Sequence, residues 1–274
     1  MVEEMQRAPA TWKRFCTASS AAIVFIVAAT LSMIGRGVPF GNTKAAQEVT
    51  TKSFTPASSM VGTSGMVGQR FADVTATDYV PELLEQARRR AETDGLTLVT
   101  QVADAEDLPF SDGSFDVVLS TFGAMFSPDH RRTAGQLLRV TKSGGRIGIA
   151  NWTPDGFIGQ LFRLIGGFVP PPAGLASPAE WGKETRIVEL FGPFARDIRA
   201  QTKQFSFNYR SAEHWIEHFR TFYGPVNKAF AGLDAANQRA LHGGIAALIE
   251  RHDRGGRRAL VVPSDYLEVV ITKA

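Results

Sequence analysis

From residue 72 to residue 151 the chain alternates short apolar runs with helical patterns, and each of the first three runs leads into acidic or small residues. The runs are 72–77, closed by Asp78; 96–102, followed by Ala103, Asp104 and Ala105; 115–120, followed by Thr121 and Phe122; and 146–151, after the Gly144-Gly145 turn. Between the first two, Pro81 opens a helix that runs to about Thr93, with Leu83, Leu84, Ala87 and Ala91 on its buried face. Gly95 ends it. A second amphipathic helix spans 129–140. The run FDVVLS at 115–120 is continuously apolar after its Asp, as a parallel strand buried on both faces requires. Strands alternating with helices form right-handed βαβ units, so the fold class is α/β: a Rossmann-like, mostly parallel sheet with helices on both faces.

The rest of the chain divides around this unit. Residues 1–70 read as an irregular N-terminal region, without sustained periodicity beyond one apolar segment at 21–34. The sheet's first strand is therefore expected to be lost. Residues 71–274 form the α/β domain. Within it, 152–257 reads as an insertion or substrate cover, irregular at first because of Pro154, Pro170 to Pro172 and Pro178. Its large apolar residues Phe157, Phe162, Phe168 and Trp181 suit either a core or a pocket wall. A strand follows at 199–208, then helices at 212–222, 225–231 and 235–252. The segments 258–262 and 266–272 close the sheet as an antiparallel edge strand.

Charge and cysteine content narrow the partners. A net charge of +3, without a basic run interleaved with aromatics, gives no reason to expect nucleic acid. The single cysteine, Cys16, excludes an internal disulfide framework and a cysteine-based zinc site. It fits a reducing, cytoplasmic setting. Lys13 and Arg14 precede the segment AAIVFIVAATLSMI at 21–34, which has the length of a signal-peptide core but lacks a good cleavage site. Export signal, short membrane anchor and sequence foreign to the fold all remain open for it.

Ligands of an open parallel sheet bind outside the carboxyl ends of the strands. A carboxylate at the end of the second strand accepts hydrogen bonds from both hydroxyls of a ribose, and Asp78, followed by Tyr79, stands there. An Asp at the end of the next strand accepts from an exocyclic adenine amine while the following N–H meets the ring. Asp104 and Ala105 fit that role, and Ser120, Thr121 and Phe122 line the opposite side.

The segments VTATDYVPELLEQARRR, VADAEDLPFSDGSFDVVLS and LLRVTKSGGRIGIANW resemble successive motifs of class I S-adenosylmethionine-dependent methyltransferases, in particular the large group that includes quinone-biosynthesis C-methyltransferases. The resemblance implies methyl transfer from S-adenosylmethionine to a small acceptor, of hydrophobic character if the cover residues line its pocket. It also implies that Asp78 holds the ribose, Asp104 and Ala105 the adenine, and Ser120 or Thr121 the surroundings of the methyl donor. The oligomeric state and a catalytic base are not legible, and no metal is implied.

One departure stands out. The family's first motif is an apolar strand ending in an acidic residue and a G-x-G-x-G turn. Here PASSMVGTSGMVGQRF spaces Gly62, Gly65 and Gly68 as G-x-x-G-x-x-G, with no apolar strand or acidic residue before them. Only Gly62, 16 residues before Asp78, is in register. A change of reading frame or of start before about Gly68 accounts for both the missing motif and the patternless region. Two other functions compete with the enzyme: a methyltransferase-like protein without cofactor, tethered to a membrane through 21–34, and a dinucleotide-binding oxidoreductase using Asp78. The latter lacks G-x-G-x-x-G, and DAE-x-LPF favours the methyltransferase. His214-Trp215-Ile216-Glu217-His218 matches the short H-x-x-E-H zinc pattern, for which a helix lining the acceptor pocket is the plainer explanation. His130, His242 and His252 read as solvated.

Overall fold

The computed structural model describes residues 26–30, 73–256 and 259–274. Seven strands form one sheet among these: β1 (Ile26–Thr30), β2 (Asp73–Asp78), β3 (Val99–Val102), β4 (Phe115–Thr121), β5 (Thr141–Trp152), β6 (Ala195–Tyr209) and β7 (Leu260–Lys273). Their order across the sheet is β3-β2-β1-β4-β5-β7-β6. Strands β2 to β6 share one direction, while β1 and β7 run against them. The sheet is thus mostly parallel in strand direction, as the alternation of runs requires.

Helices α1 (Pro81–Thr93), α2 (His130–Val140), α3 (Phe157–Phe168), α4 (Glu184–Phe191), α5 (Ala212–Phe222), α6 (Gly224–Gly232) and α7 (Ala235–His252) connect and cover the strands. Their starts are chemically marked. Pro81 occupies the first turn of α1, and the side chains of Asp129, Ser211 and Asp234 accept from the N–H groups of Arg132, His214 and Asn237. In α1 the buried residues are Leu83, Leu84, Ala87 and Ala91, as the spacing predicts.

Strand β1 stands where the sequence leaves a gap. It is drawn from the apolar segment at 21–34, and its residues IVAAT suit a central strand. It pairs antiparallel with β2, from Ile26 opposite Thr77 to Thr30 opposite Asp73, and antiparallel with β4. Five residues of the segment therefore serve the sheet. Among the described residues no helix is long and apolar enough to cross a membrane.

The insertion is more regular than expected. Helices α3 and α4 stand where an irregular cover is anticipated, because glycines and prolines obscure their period. Phe157, Ile158, Leu161 and Ile165 form the buried stripe of α3. Trp152, Trp181, Trp215, Phe157, Phe191 and Phe219 are fully buried, so Phe157 and Trp181 belong to the core. Phe162 and Phe168 pack against its rim. Gly182 lets the turn Pro178–Gly182 press onto the end of β5, where a Cβ would lie 2.1 Å from the Trp152 carbonyl oxygen.

The C-terminal strand lies one place in from the edge. β7 pairs with β5 over 266–272 and with β6 along its whole length, and β6 is the edge. Leu267, Glu268 and Val269 are consecutively buried, the mark of an interior strand, while β6 alternates with exposed residues. Glu268 is matched across the pair by Lys203 at 2.8 Å. Pro263 falls where β7 has β6 on one side and has outrun β5 on the other, so its missing N–H leaves no ladder partner unpaired there.

Candidate functional site

Asp78 ends β2 with its side chain fully buried. One carboxylate oxygen, Oδ1, accepts the Val80 N–H at 2.8 Å, a local turn that leads into α1. Oδ2 is buried and has no hydrogen-bond partner among the described residues. Helix α1 itself takes no side-chain cap, so Asp78 is not its N-cap. Loss of solvent around the carboxyl raises its pKa to about 8, against the lowering pull of the Val80 and Tyr79 N–H groups. A buried carboxyl oxygen without a partner among the described residues is a place for a further hydrogen-bonding group. The vicinal hydroxyls of a ribose supply two.

The turn after β3 lies alongside. The Ala103 N–H donates to the Asp78 carbonyl at 3.0 Å, tying the two strand ends together. Asp104 is exposed and accepts the Glu106 N–H on Oδ1 at 2.9 Å, whereas Ala105 is buried. Helix α2 fixes the residues beyond Ala105. Gln136 accepts the Leu108 N–H, and Arg139 donates to the carbonyls of Leu108 and Phe110. Glu106 accepts the Asp129 N–H at 2.7 Å, and its pKa is raised chiefly by burial. The turn that carries Asp104 and Ala105 is thus held from behind by α2.

At the end of β4, Ser120 and Thr121 are buried, and the Ser120 Oγ accepts the Ala124 N–H at 2.9 Å. Ser120 shapes the turn. The next residue but one, Phe122, has φ of 56°, a left-handed conformation that costs a non-glycine residue about 1–2 kcal/mol. Its ring stacks on Trp152 at 4.1 Å between centroids and meets Tyr266 edge-on at 5.6 Å. Those contacts and the Phe122 N–H bond to the Ala150 carbonyl hold the strained backbone. Strain at a strand end facing a ligand edge is where fixed functional geometry concentrates. Sequence position assigns Phe122 a lining role but offers no sign of the strain.

Asp78, Tyr79, Asp104, Ala105, Ser120 and Thr121 therefore all lie at the carboxyl ends of strands of common direction, with β1 separating the β4 group from the β2–β3 group. Gly62, Gly65 and Gly68 lie outside the described residues. His214 and His218 share one side of α5 and both pack against Tyr209, and the Arg210 N–H reaches His214 Nδ1. Among the described residues no three His, Cys, Asp or Glu side chains cluster as metal ligands. His130 departs from the solvated reading. It is 3% exposed, edge-on to Trp181, with both ring nitrogens unpartnered among the described residues, and burial is the main cause lowering its pKa to about 4.

Comparison with known proteins adds what the chain is similar to. Residues 61–149 match the family described as methyltransferase domain. An uncharacterised protein of Mycobacterium tuberculosis strain H37Rv is 43% identical over 164 residues, covering 59% of this chain and 60% of that protein. A demethylmenaquinone methyltransferase of Thermus thermophilus is 39% identical over 95 residues, covering 34% of this chain and 43% of the relative. The chain thus spans about 60% of the length of the first curated relatives it matches. Among solved structures, the YcgJ protein of Bacillus subtilis is 16% identical with a TM-score of 0.50, over 78% of this chain and 88% of that one, which shows a common fold. Over residues 61–149 the chain is thus similar to methyltransferase domains, in line with the resemblance carried by its motifs.

Proposed function

We propose that this domain binds S-adenosylmethionine at the carboxyl edge of β2, β3 and β4 and transfers its methyl group to a small, apolar acceptor. The observation that carries the reading is the buried Asp78 carboxyl with a free oxygen at the strand end. Asp78 accepts from the ribose hydroxyls, Asp104 from the adenine amine, and the Ala105 N–H meets the adenine ring. Tyr79, Ser120 and Thr121 complete the lining. The bound group supplies an electrophilic sulfonium methyl.

The chain's part in transfer is to hold donor and acceptor in line and to keep water out. Phe122, fixed in a strained conformation against Trp152, supports a rigid apolar wall beside the transfer position. The similarity to demethylmenaquinone methyltransferases supports an apolar acceptor. No side chain is assigned as base, because positioning alone serves an acceptor that is already nucleophilic.

Isothermal titration calorimetry with S-adenosylmethionine tests the reading. Saturable binding that weakens in Asp78→Asn is expected. An absence of heat at millimolar ligand refutes it.

A further inference from the structure

The edge strand β6 carries a pattern that complements itself. It is 15 residues long, contains no proline, and among the described residues pairs on one side only, with β7. An open edge of that length offers a row of backbone donors and acceptors to another strand. Beside it, a groove of about 440 Å3 runs between α4 and β6, lined by Glu184, Ile187, Val188, Ile198, Arg199 and Ala200. Two large apolar side chains stand in solvent at this corner. Val188 of α4 is 54% exposed, and Phe194, in the turn Gly192–Phe194 that joins α4 to β6, is 56% exposed. The turn folds back on the helix, since a Cβ on Gly192 would meet the Val188 Cγ1 at 3.4 Å.

Charge selects the occupant of this edge. The start of β6 reads Arg196-Asp197-Ile198-Arg199-Ala200. Two antiparallel copies related by a two-fold axis at Ile198 set Asp197 of each opposite the partner's Arg199, with Ile198 facing itself on the α4 side. Opposite charges directly across a strand pair attract, and like charges repel. Moving the axis to Asp197 or to Arg199 sets that residue against its own copy, so of these three registers only the central one is complementary. Within one copy Arg199 Nε donates to Asp197 Oδ2 at 2.8 Å, and the axis joins the two pairs into a network of four charges. Arg196 sits at the register shift between Ala195 and Asp197, outside the regular ladder. Of the other charges nearby, Lys203 is matched by Glu268, and Glu189 by Arg131 and Arg186.

We propose that β6 and the α4 corner dock a second copy of this chain, continuing the sheet across a two-fold axis at Ile198. Asp197 and Arg199 fix the register, while Val188 and Phe194 of each copy lose water against the partner. The proposal is independent of the cofactor site.

Sedimentation velocity on the full chain from about 1 to 200 µM tests it. A dimer with a dissociation constant on the order of 10 µM is expected, as suits a contact at the small end of interface sizes. Val188→Glu and Asp197→Arg, both at exposed positions and checked for fold by circular dichroism, should each weaken the dimer about tenfold or more. Asp197→Arg combined with Arg199→Asp restores opposite charges across the axis and should restore the dimer. A parent chain that stays monomeric at about 200 µM overturns the proposal and leaves this corner to a different partner. A dimer that both single variants leave unchanged, or that the double variant fails to recover, overturns it as well.

Discussion

Replacing Asp78 with Asn separates what the carboxyl offers a ligand from what it costs the fold. Burial holds its pKa at about 8, against 3.8 when exposed, so between these values the folded chain keeps a proton that the unfolded chain has lost. Stability from this group is greatest at low pH and falls as pH rises, by about 1.4 kcal/mol per pH unit, until ionisation is complete above about pH 8. The full swing is on the order of 6 kcal/mol. Asn carries no charge and leaves a buried polar group short of a partner, costing about 1–3 kcal/mol independently of pH. The variant is therefore equal to or less stable than the parent near pH 5, and more stable by a few kcal/mol at pH 9. Urea unfolding of both proteins from pH 5 to 9 measures the difference, and matching slopes of stability against pH would refute the reasoning. Binding moves the other way. Above about pH 8, where the carboxyl is ionised, the amide keeps one acceptor where the carboxylate offers two oxygens, a loss of about 1.5–3 kcal/mol or roughly 10- to 100-fold in affinity. Unchanged affinity would remove Asp78 from the site.

Phe122→Gly relieves the left-handed backbone but deletes the ring stacked on Trp152, and the lost burial of about 3–5 kcal/mol outweighs about 1–2 kcal/mol of relieved strain. A net loss of about 2–3 kcal/mol in urea unfolding, with a changed near-UV signal from Trp152, is expected. His130, whose pKa is lowered to about 4, contributes stability that is complete above about pH 6.5 and is lost as pH falls through 4, about 3 kcal/mol in all. His130→Phe should flatten this acid limb and leave stability near pH 7 little changed, since both ring nitrogens lack partners. Translation of the coding DNA upstream of Gly68 in the two alternative frames should yield an apolar strand followed by G-x-G if the first motif was displaced by a frame change. Two frames without such a pattern reject that origin.

The βαβ half of the fold was legible because each of its signals is local. FDVVLS, the Pro81 helix and the Gly144-Gly145 turn announce their structure within a few residues. Asp78 could be placed for the same reason: a strand end is a sequence position. Its free Oδ2 could not, because it depends on the packing around the carboxyl and on the partner the Val80 N–H takes. The interior place of β7 was hidden because an apolar terminal strand reads alike at an edge or one place in, until the partner on its far side is known. His130 misled because α2 is amphipathic and His is polar, while Trp181 reaches it from a distant turn. The strain at Phe122 depends on Trp152 and Tyr266, which arrive from two other strands.

The place of β1 between β2 and β4 also bears on cooperativity. Among the described residues β2 and β4 do not pair with each other, so within the sheet the β2–β3 half is joined to the larger half through a five-residue strand. The second tether is the turn after β3, pinned to α2 by Gln136 and Arg139. A unit held by short tethers such as these opens at lower free energy than the whole molecule. Native-state hydrogen exchange should then show the β2 and β3 amides exchanging through a sub-global opening, while those of β7, paired on both sides, wait for global unfolding. Ligand spanning both halves would act as a third tether and draw the two exchange free energies together.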